Sequence, residues 1–264
     1  MPKVSIGDAE IYYEETGSGP PLLLVPGLNG NGSFWAKQVP VFARRFRVVV
    51  HDHRGCGQST FSRIKYSVEQ MAADAVKLMD ALGIARAHFV GHSTGGAIGQ
   101  VIASDQPGRI ASLVLSATWP GPDAFFLRAF ATRRAILETL GPGPYARASA
   151  NFLWPAWWIA NHDAELDEIE RQAVASPQPV EIALSRIDAI CAFDRRVRMK
   201  DIKAPTLVIV ADDDIVTPPH LSEELASGIA ASRLKLLAKG GHFVPIVDPE
   251  TYNGALTAFL RAQG

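Results

Sequence analysis

At 264 residues, 47% of them hydrophobic, the chain is long enough to bury a sizeable core as one domain that carries an insertion. Lys and Arg total 26 against 27 Asp and Glu, and a formal net charge of −1 leaves no broad positive field for nucleic-acid phosphates or an anionic membrane surface. Only Cys56 and Cys191 are present, far apart and in no ligand spacing, which argues against a disulfide framework or a zinc site; no cofactor is expected.

The amino-terminal stretch MPKVSIGDAEIYYEETGSG alternates like a hairpin and has no apolar signal-peptide core. The aliphatic runs LLLV, VVV and LVIV are far too short to cross a bilayer. The expectation is a cytoplasmic protein, monomer or homodimer, whose partner is a small-molecule substrate. EIYYEET at 10–16 and PLLLVP at 21–26 read as strands across the turn GSGP, and FRVVVH at 46–51 as a short buried strand. From Ser67 the apolar spacing is helical; Ser67 with Gln70 forms a capping box, and Gly83 sits where the helix would stop.

AHFVG at 87–91 gives a strand running into a serine, and TGGAIGQVIAS starts a helix directly after it. IASLVLSA at 110–117, PTLVIVA at 205–211 and RLKLLA at 233–238 are further strands, the first two apolar along their length. Strands alternating with helices predict an α/β fold with a mostly parallel sheet covered on both faces. Between Trp119 and Val197 the strands disappear. WPGP, GPGP at 141–144 and PQP at 177–179 interrupt helical patterns such as LDEIERQAV and VEIALSRIDAI. The division is therefore a core of 1–118 and 198–264 with a helical insertion at 119–197. Most aromatics of the insertion are expected to weld its helices together. Trp119, Phe126, Trp154 and Trp158, with Phe243 from a later loop, are candidates for a substrate pocket.

GHSTG fits G-x-S-x-G, and its place between a strand and a helix is the strained elbow that exposes Ser93 as a nucleophile. Gly91 and Gly95 leave room where the turn brings backbones together. His92, adjacent to the serine on so sharp a turn, is aimed away from its hydroxyl. The better base is His242 in KGGHFVPIVDPE, a loop after a strand at the sheet's carboxyl edge, because histidine is the residue type that can take a serine proton at neutral pH. ADDDIVTPP offers the carboxylate: Asp214 is best placed, Asp213 stands in reserve, and Asp212 and Asp213 otherwise cap the turn or meet solvent.

Serine, then acid, then a late histidine resembles the chain order of the α/β-hydrolase superfamily, and the resemblance spans essentially the whole chain. DHRGCGQS at 52–59 is similar to the family's D-x-R-G-x-G-x-S loop, and PTLVIVADDDIVTPP and GGHFVPIVDPE to its acid and histidine segments. The family's strand-G-x-x-D pattern puts the acid on Asp214, with Ala211 in place of the glycine. The resemblance implies an eight-stranded sheet with a helical cap after the sixth strand, and an oxyanion hole formed by the backbone N–H groups of Leu28 and Thr94. Pro26-Gly27 stands where the family usually has His-Gly.

What it implies chemically is a serine hydrolase that cleaves a small carboxylic ester, lactone or amide through an acyl-enzyme. PGLNGNGSFW and NFLWPAWWIA are similar to aminoacrylate hydrolases of pyrimidine breakdown, and AHFVGHSTGGAIGQ to 3-oxoadipate enol-lactonases. Arg128, Arg133, Arg134 and Arg147 are expected on solvated surface, with contact to a substrate carboxylate as the alternative. Three rivals share the fold: a cofactor-free haloperoxidase or perhydrolase, with a similar Ser-Thr-Gly-Gly elbow; a carbon-carbon bond hydrolase, which would usually show Gly-Asn-Ser and a Trp after the histidine; and a slow-turnover small-molecule receptor.

Overall fold

Leu22 and Leu24 join the hydrophobic cluster on one side of the sheet, Leu23 and Val25 the cluster on the other, and all four are fully buried. A strand of this kind needs cover on both faces. The computed structural model describes residues 2–175 and 178–263; Pro177, in the PQP break, lies outside them. Strands β1 (Lys3–Ser5) and β2 (Glu10–Thr16) form the expected antiparallel hairpin. They are followed by β3 (Pro21–Val25), β4 (Arg47–His51), β5 (Ala87–His92), β6 (Ile110–Ser116), β7 (Thr206–Ala211) and β8 (Ser232–Leu237). The sheet order is β1-β2-β4-β3-β5-β6-β7-β8; β2 pairs with β4 antiparallel, and every pairing from β4 onward is parallel.

Helices α1 (Val39–Phe42), α2 (Val68–Ala81) and α3 (Thr94–Asp105) alternate with the strands. Five more follow without a strand between them: α4 (Ala124–Leu140), α5 (Pro142–Leu153), α6 (Ala156–Ile159), α7 (Asp163–Ala175) and α8 (Val180–Ala192). The chain closes with α9 (Pro219–Gly228), α10 (Val244–Val247) and α11 (Pro249–Arg261). Residues of α2, α3 and α9 pack on one face of the sheet and residues of α1 and α11 on the other, the α/β arrangement expected of the alternating pattern. None of the described helices is long and apolar enough to cross a membrane.

Two local signals resolve differently from expectation. Ser67 accepts the Gln70 N–H at 3.1 Å, but the Gln70 amide turns to Asp74, so the capping box is only half made. The GPGP break is one residue long: Gly141 ends α4 at φ 82°, and Pro142 opens α5, where its missing N–H has no intrahelical partner to lose. The DHRGCGQS loop is scaffold. Arg54, almost fully buried, bonds Asp74 through Nε and Nη2 at 2.9 and 2.8 Å and Asp8 through both terminal nitrogens at 2.8 Å, tying the first hairpin to α2. Asp52 accepts the N–H groups of Gly32 and Gln58 at 2.8 Å each.

Strand order reverses at β3, which pairs with β4 on one side and β5 on the other. Val25 lies beside Gly91 in that pairing. The loops leaving β3 and β5 are therefore neighbours at the switch point where ligands of open α/β sheets bind.

Candidate active site

Ser93 lies directly past β5, with φ 54° and ψ −117°, outside the regions a non-glycine residue ordinarily occupies. The surroundings over-determine that strain. The Ser93 N–H donates to Ser116 O at 2.8 Å, and its carbonyl accepts from the Thr118 hydroxyl at 2.8 Å and from Gly96 N–H at 2.9 Å. A Cβ at Gly91 would fall on the Gly95 carbonyl, and one at Gly95 on the Val25 carbonyl, so neither position tolerates a side chain. An elbow held this way is a store of backbone strain.

His92, fully buried, is turned toward the sheet and away from the serine. Its Nδ1 lies 3.3 Å from Ser116 Oγ, its ring stacks on Phe34 at 4.7 Å, and it packs at 4.9 Å against the ring of His242. Burial first, then the neighbouring His242, hold its pKa well below 6.5. A neutral packed ring is what remains.

His242 and Asp214 come together from loops 28 residues apart, each 2% exposed. Asp214 Oδ2 lies 2.8 Å from His242 Nδ1. Because a carboxylate only accepts, Nδ1 carries the proton and Nε2 is left with the lone pair. The carboxylate is itself fixed: Oδ1 accepts from Val216 N–H at 2.8 Å and Thr217 N–H at 3.0 Å, and Oδ2 from the Thr217 hydroxyl at 2.9 Å.

Asp213 performs a different task from its neighbour. Its Oδ1 accepts the N–H groups of both Gly240 and Gly241 at 2.7 Å, clamping the loop that presents His242, and its Oδ2 accepts from Trp157 Nε1 at 3.2 Å. Asp212 is exposed. The turn-capping expected for Asp213 thus acts on the histidine loop, 27 residues away. The segment joining α5 to α6 lies on the same loop: Phe243 N–H donates to Leu153 O at 3.2 Å, and a Cβ at Gly241 would press on Pro155.

Among the described residues, neither Leu28 N–H nor Thr94 N–H donates to any protein acceptor. Gly27 sits so close to the elbow that a Cβ there would lie 3.2 Å from Ser93 Cβ. Two free donors flanking a serine can stabilise charge developing on a carbonyl oxygen.

The five aromatic candidates divide into two groups. Phe243 stacks on His242 at 5.9 Å, Trp154 meets Phe243 edge-on at 5.0 Å, and Trp158 stacks on Trp154 at 4.3 Å. Trp119 and Phe126 pack on each other at 4.7 Å in the main core cluster. Of the arginines, Arg128 is exposed, Arg134 pairs with Asp188 and Glu138, and Arg147 pairs with Asp167 and Glu170. Arg133 is buried, bonds Ser149 Oγ and the Tyr145 hydroxyl at 3.2 Å each, and has no carboxylate partner among the described residues.

Comparison with known proteins agrees with this architecture. The family model of the alpha/beta hydrolase fold matches residues 20–249. RutD of Azorhizobium caulinodans, a protein named as a carbamate hydrolase, is 40% identical over 259 residues, 98% of this chain and 98% of its own. The enol-lactonase from Burkholderia xenovorans LB400 superposes with a TM-score of 0.91 at 30% identity, covering 98% of this chain and all of its own. A thermophilic esterase from Thermogutta terrifontis, solved with malate bound, gives 0.87 at 28% identity and covers 99% and 98%.

Proposed function

The chain belongs to the alpha/beta hydrolase family, and from that premise we propose that it is a serine hydrolase acting on a small carboxylic ester, lactone or amide through an acyl-enzyme. The observation that carries this reading is the 2.8 Å contact between Asp214 and His242 Nδ1 at the edge of the sheet that also bears the strained Ser93.

In the reaction, Ser93 Oγ attacks the carbonyl carbon while its proton passes to His242 Nε2. The carbonyl oxygen becomes an oxyanion held by the N–H groups of Leu28 and Thr94. Collapse breaks the bond to the leaving group, which takes the proton from Nε2. Water, deprotonated by the same nitrogen, then attacks the acyl-enzyme and returns Ser93 to its free state. Asp214 remains a carboxylate throughout, orienting the ring and stabilising the imidazolium.

RutD is named for a carbamate, the two structural relatives for an enol-lactone and an ester. All three names describe transfer of an acyl group to water, which supports the reaction class. The substrate is set by the helices at 119–197, which act as a cap over the core formed by 1–118 and 198–264, with Phe243, Trp154 and Trp158 beside the base. No cofactor takes part, and the protein works in the cytoplasm as a monomer or homodimer.

A panel of short esters, lactones, amides and carbamates, run beside Ser93→Ala, tests the proposal. Turnover of at least one class is expected, falling by about 10⁶ in the variant. A variant that keeps a tenth of wild-type activity rejects the assignment.

A further inference from the structure

Arg186 lies on the apolar stripe of α8, between Ile182 and Ile190, and is 0% exposed. Among the described residues no carboxylate lies within ion-pair distance of it. An isolated cation is costly to bury, so its position calls for a use. The guanidinium reaches out of the insertion into two core loops. Nη2 donates to Leu28 O at 2.8 Å and to His53 Nδ1 at 3.0 Å, and Nη1 donates to Arg54 O at 3.2 Å.

We propose that Arg186 is a positioning residue that holds the Leu28 turn so that its N–H meets the oxyanion. The inference rests on the proposed acyl-transfer reaction and goes beyond it by assigning a residue of the insertion to the core's oxyanion loop. The Leu28 carbonyl belongs to the central peptide of the turn Gly27–Gly30, closed by Gly30 N–H on Gly27 O at 3.0 Å. That peptide, which carries the Leu28 oxygen and the Asn29 N–H, is the one whose flip converts one turn type into another by swinging ψ of Leu28; by holding the oxygen, Arg186 fixes the turn from which the Leu28 N–H, one peptide earlier, projects. The far end of the turn is held too, since Gly30 O accepts the His53 N–H at 2.8 Å.

Pro26 precedes the turn in place of the histidine expected from the resemblance, and a proline offers neither a side-chain nor a backbone donor. Arg186 restrains the turn from another element, through the Leu28 carbonyl. A planar fork fits three acceptors in different directions, which a lysine ammonium on a flexible stem cannot reproduce. His53, buried and facing the cation, is held well below its usual pKa, and its neutral Nδ1 is the acceptor the fork requires.

The test compares wild type, Arg186→Gln and Arg186→Lys on p-nitrophenyl acetate, with phenylboronic acid as inhibitor. The boronate adds to the serine as a tetrahedral species whose oxygen occupies the oxyanion site, whereas KM reports ground-state binding. Arg186→Gln is expected to lower kcat about ten- to hundred-fold, as misplacement of a catalytic donor does. The boronate Ki should rise by a similar factor while KM stays within two-fold. Ki does not depend on how much enzyme is folded, so a merely structural role would lower the apparent kcat and leave Ki unchanged.

A Ki within two-fold of wild type overturns the proposal. Should Arg186→Gln not fold, Arg186→Lys gives the same readout, and full restoration of kcat and Ki by lysine likewise overturns a role for the fork. If wild type neither turns over esters nor binds boronate, the proposed function fails. If it does both and the variants match it, only the role of Arg186 fails.

Discussion

Asp214 accepts four hydrogen bonds, and only one of them, from His242, bears on the proton inventory of the base. Asp214→Asn separates scaffold from chemistry. The amide oxygen can still accept from Val216 and Thr217, but its NH2 now donates to Nδ1 and drives the ring proton to Nε2, where the lone pair is needed. Steady-state kinetics should show kcat lower by about 10⁴ with KM little changed; a drop of less than ten-fold would mean that the tautomer does not control the base. The placement of Ser93, Asp214 and His242 at one sheet edge was legible in the sequence because each follows a strand, so position along the chain gave position at that edge. The contacts that hold them were not. Asp213 reaches Gly240 and Gly241 across two loops, and Arg186 reaches Leu28 across 158 residues. The one local trace of the latter was a charged residue at the i+4 position between Ile182 and Ile190.

At the scale of elements, 205–211 came close, as Thr206–Ala211, because an unbroken aliphatic run has few other homes; 233–238, interrupted by Lys235, became the edge strand Ser232–Leu237 with its middle residues exposed. The insertion was legible as helices and not as an arrangement. LDEIERQAV lies within α7 and VEIALSRIDAI within α8, but neither pattern says which neighbour the apolar face meets. In α4 the buried stripe Phe126, Phe130, Arg133 and Leu137 includes a cation met by Ser149 and Tyr145 of α5 and by the face of Phe130 one turn back on its own helix. The short α6 and the proline before it carry Trp154, Pro155 and Trp157 onto the histidine loop. A one-turn helix has no periodicity to read, so this contact between the insertion and the His242 loop is visible only in the folded chain.

The whole molecule keeps several imidazoles out of water, and this has a consequence for stability. Burial holds His51 at about 4, and His53 and His92 lie well below 6.5. In the unfolded chain all three titrate near 6.5. Below that pH the unfolded state takes up protons that the folded rings refuse, so stability is fully present above about pH 6.5 and falls as the solution is acidified. For His51 the loss continues to about pH 4, where the folded ring protonates as well. Each ring contributes a slope of at most about 1.4 kcal/mol per pH unit. Urea denaturation from pH 7.5 to 5 should show the unfolding free energy falling by several kcal/mol; a flat profile would mean that these rings are protonated in the fold.

The same global topology brings the loops after β3, β5, β7 and β8 to one edge, and the claim that they form a nucleophilic site can be measured directly. Wild type and Ser93→Ala are incubated with a fluorophosphonate, digested, and the labelled peptide is sequenced by mass spectrometry. One adduct per chain is expected, on the peptide containing Ser93, with loss of hydrolysis in step with labelling and no adduct in the variant. Full hydrolysis in an unlabelled enzyme, or an adduct that persists when Ser93 is alanine, would contradict it.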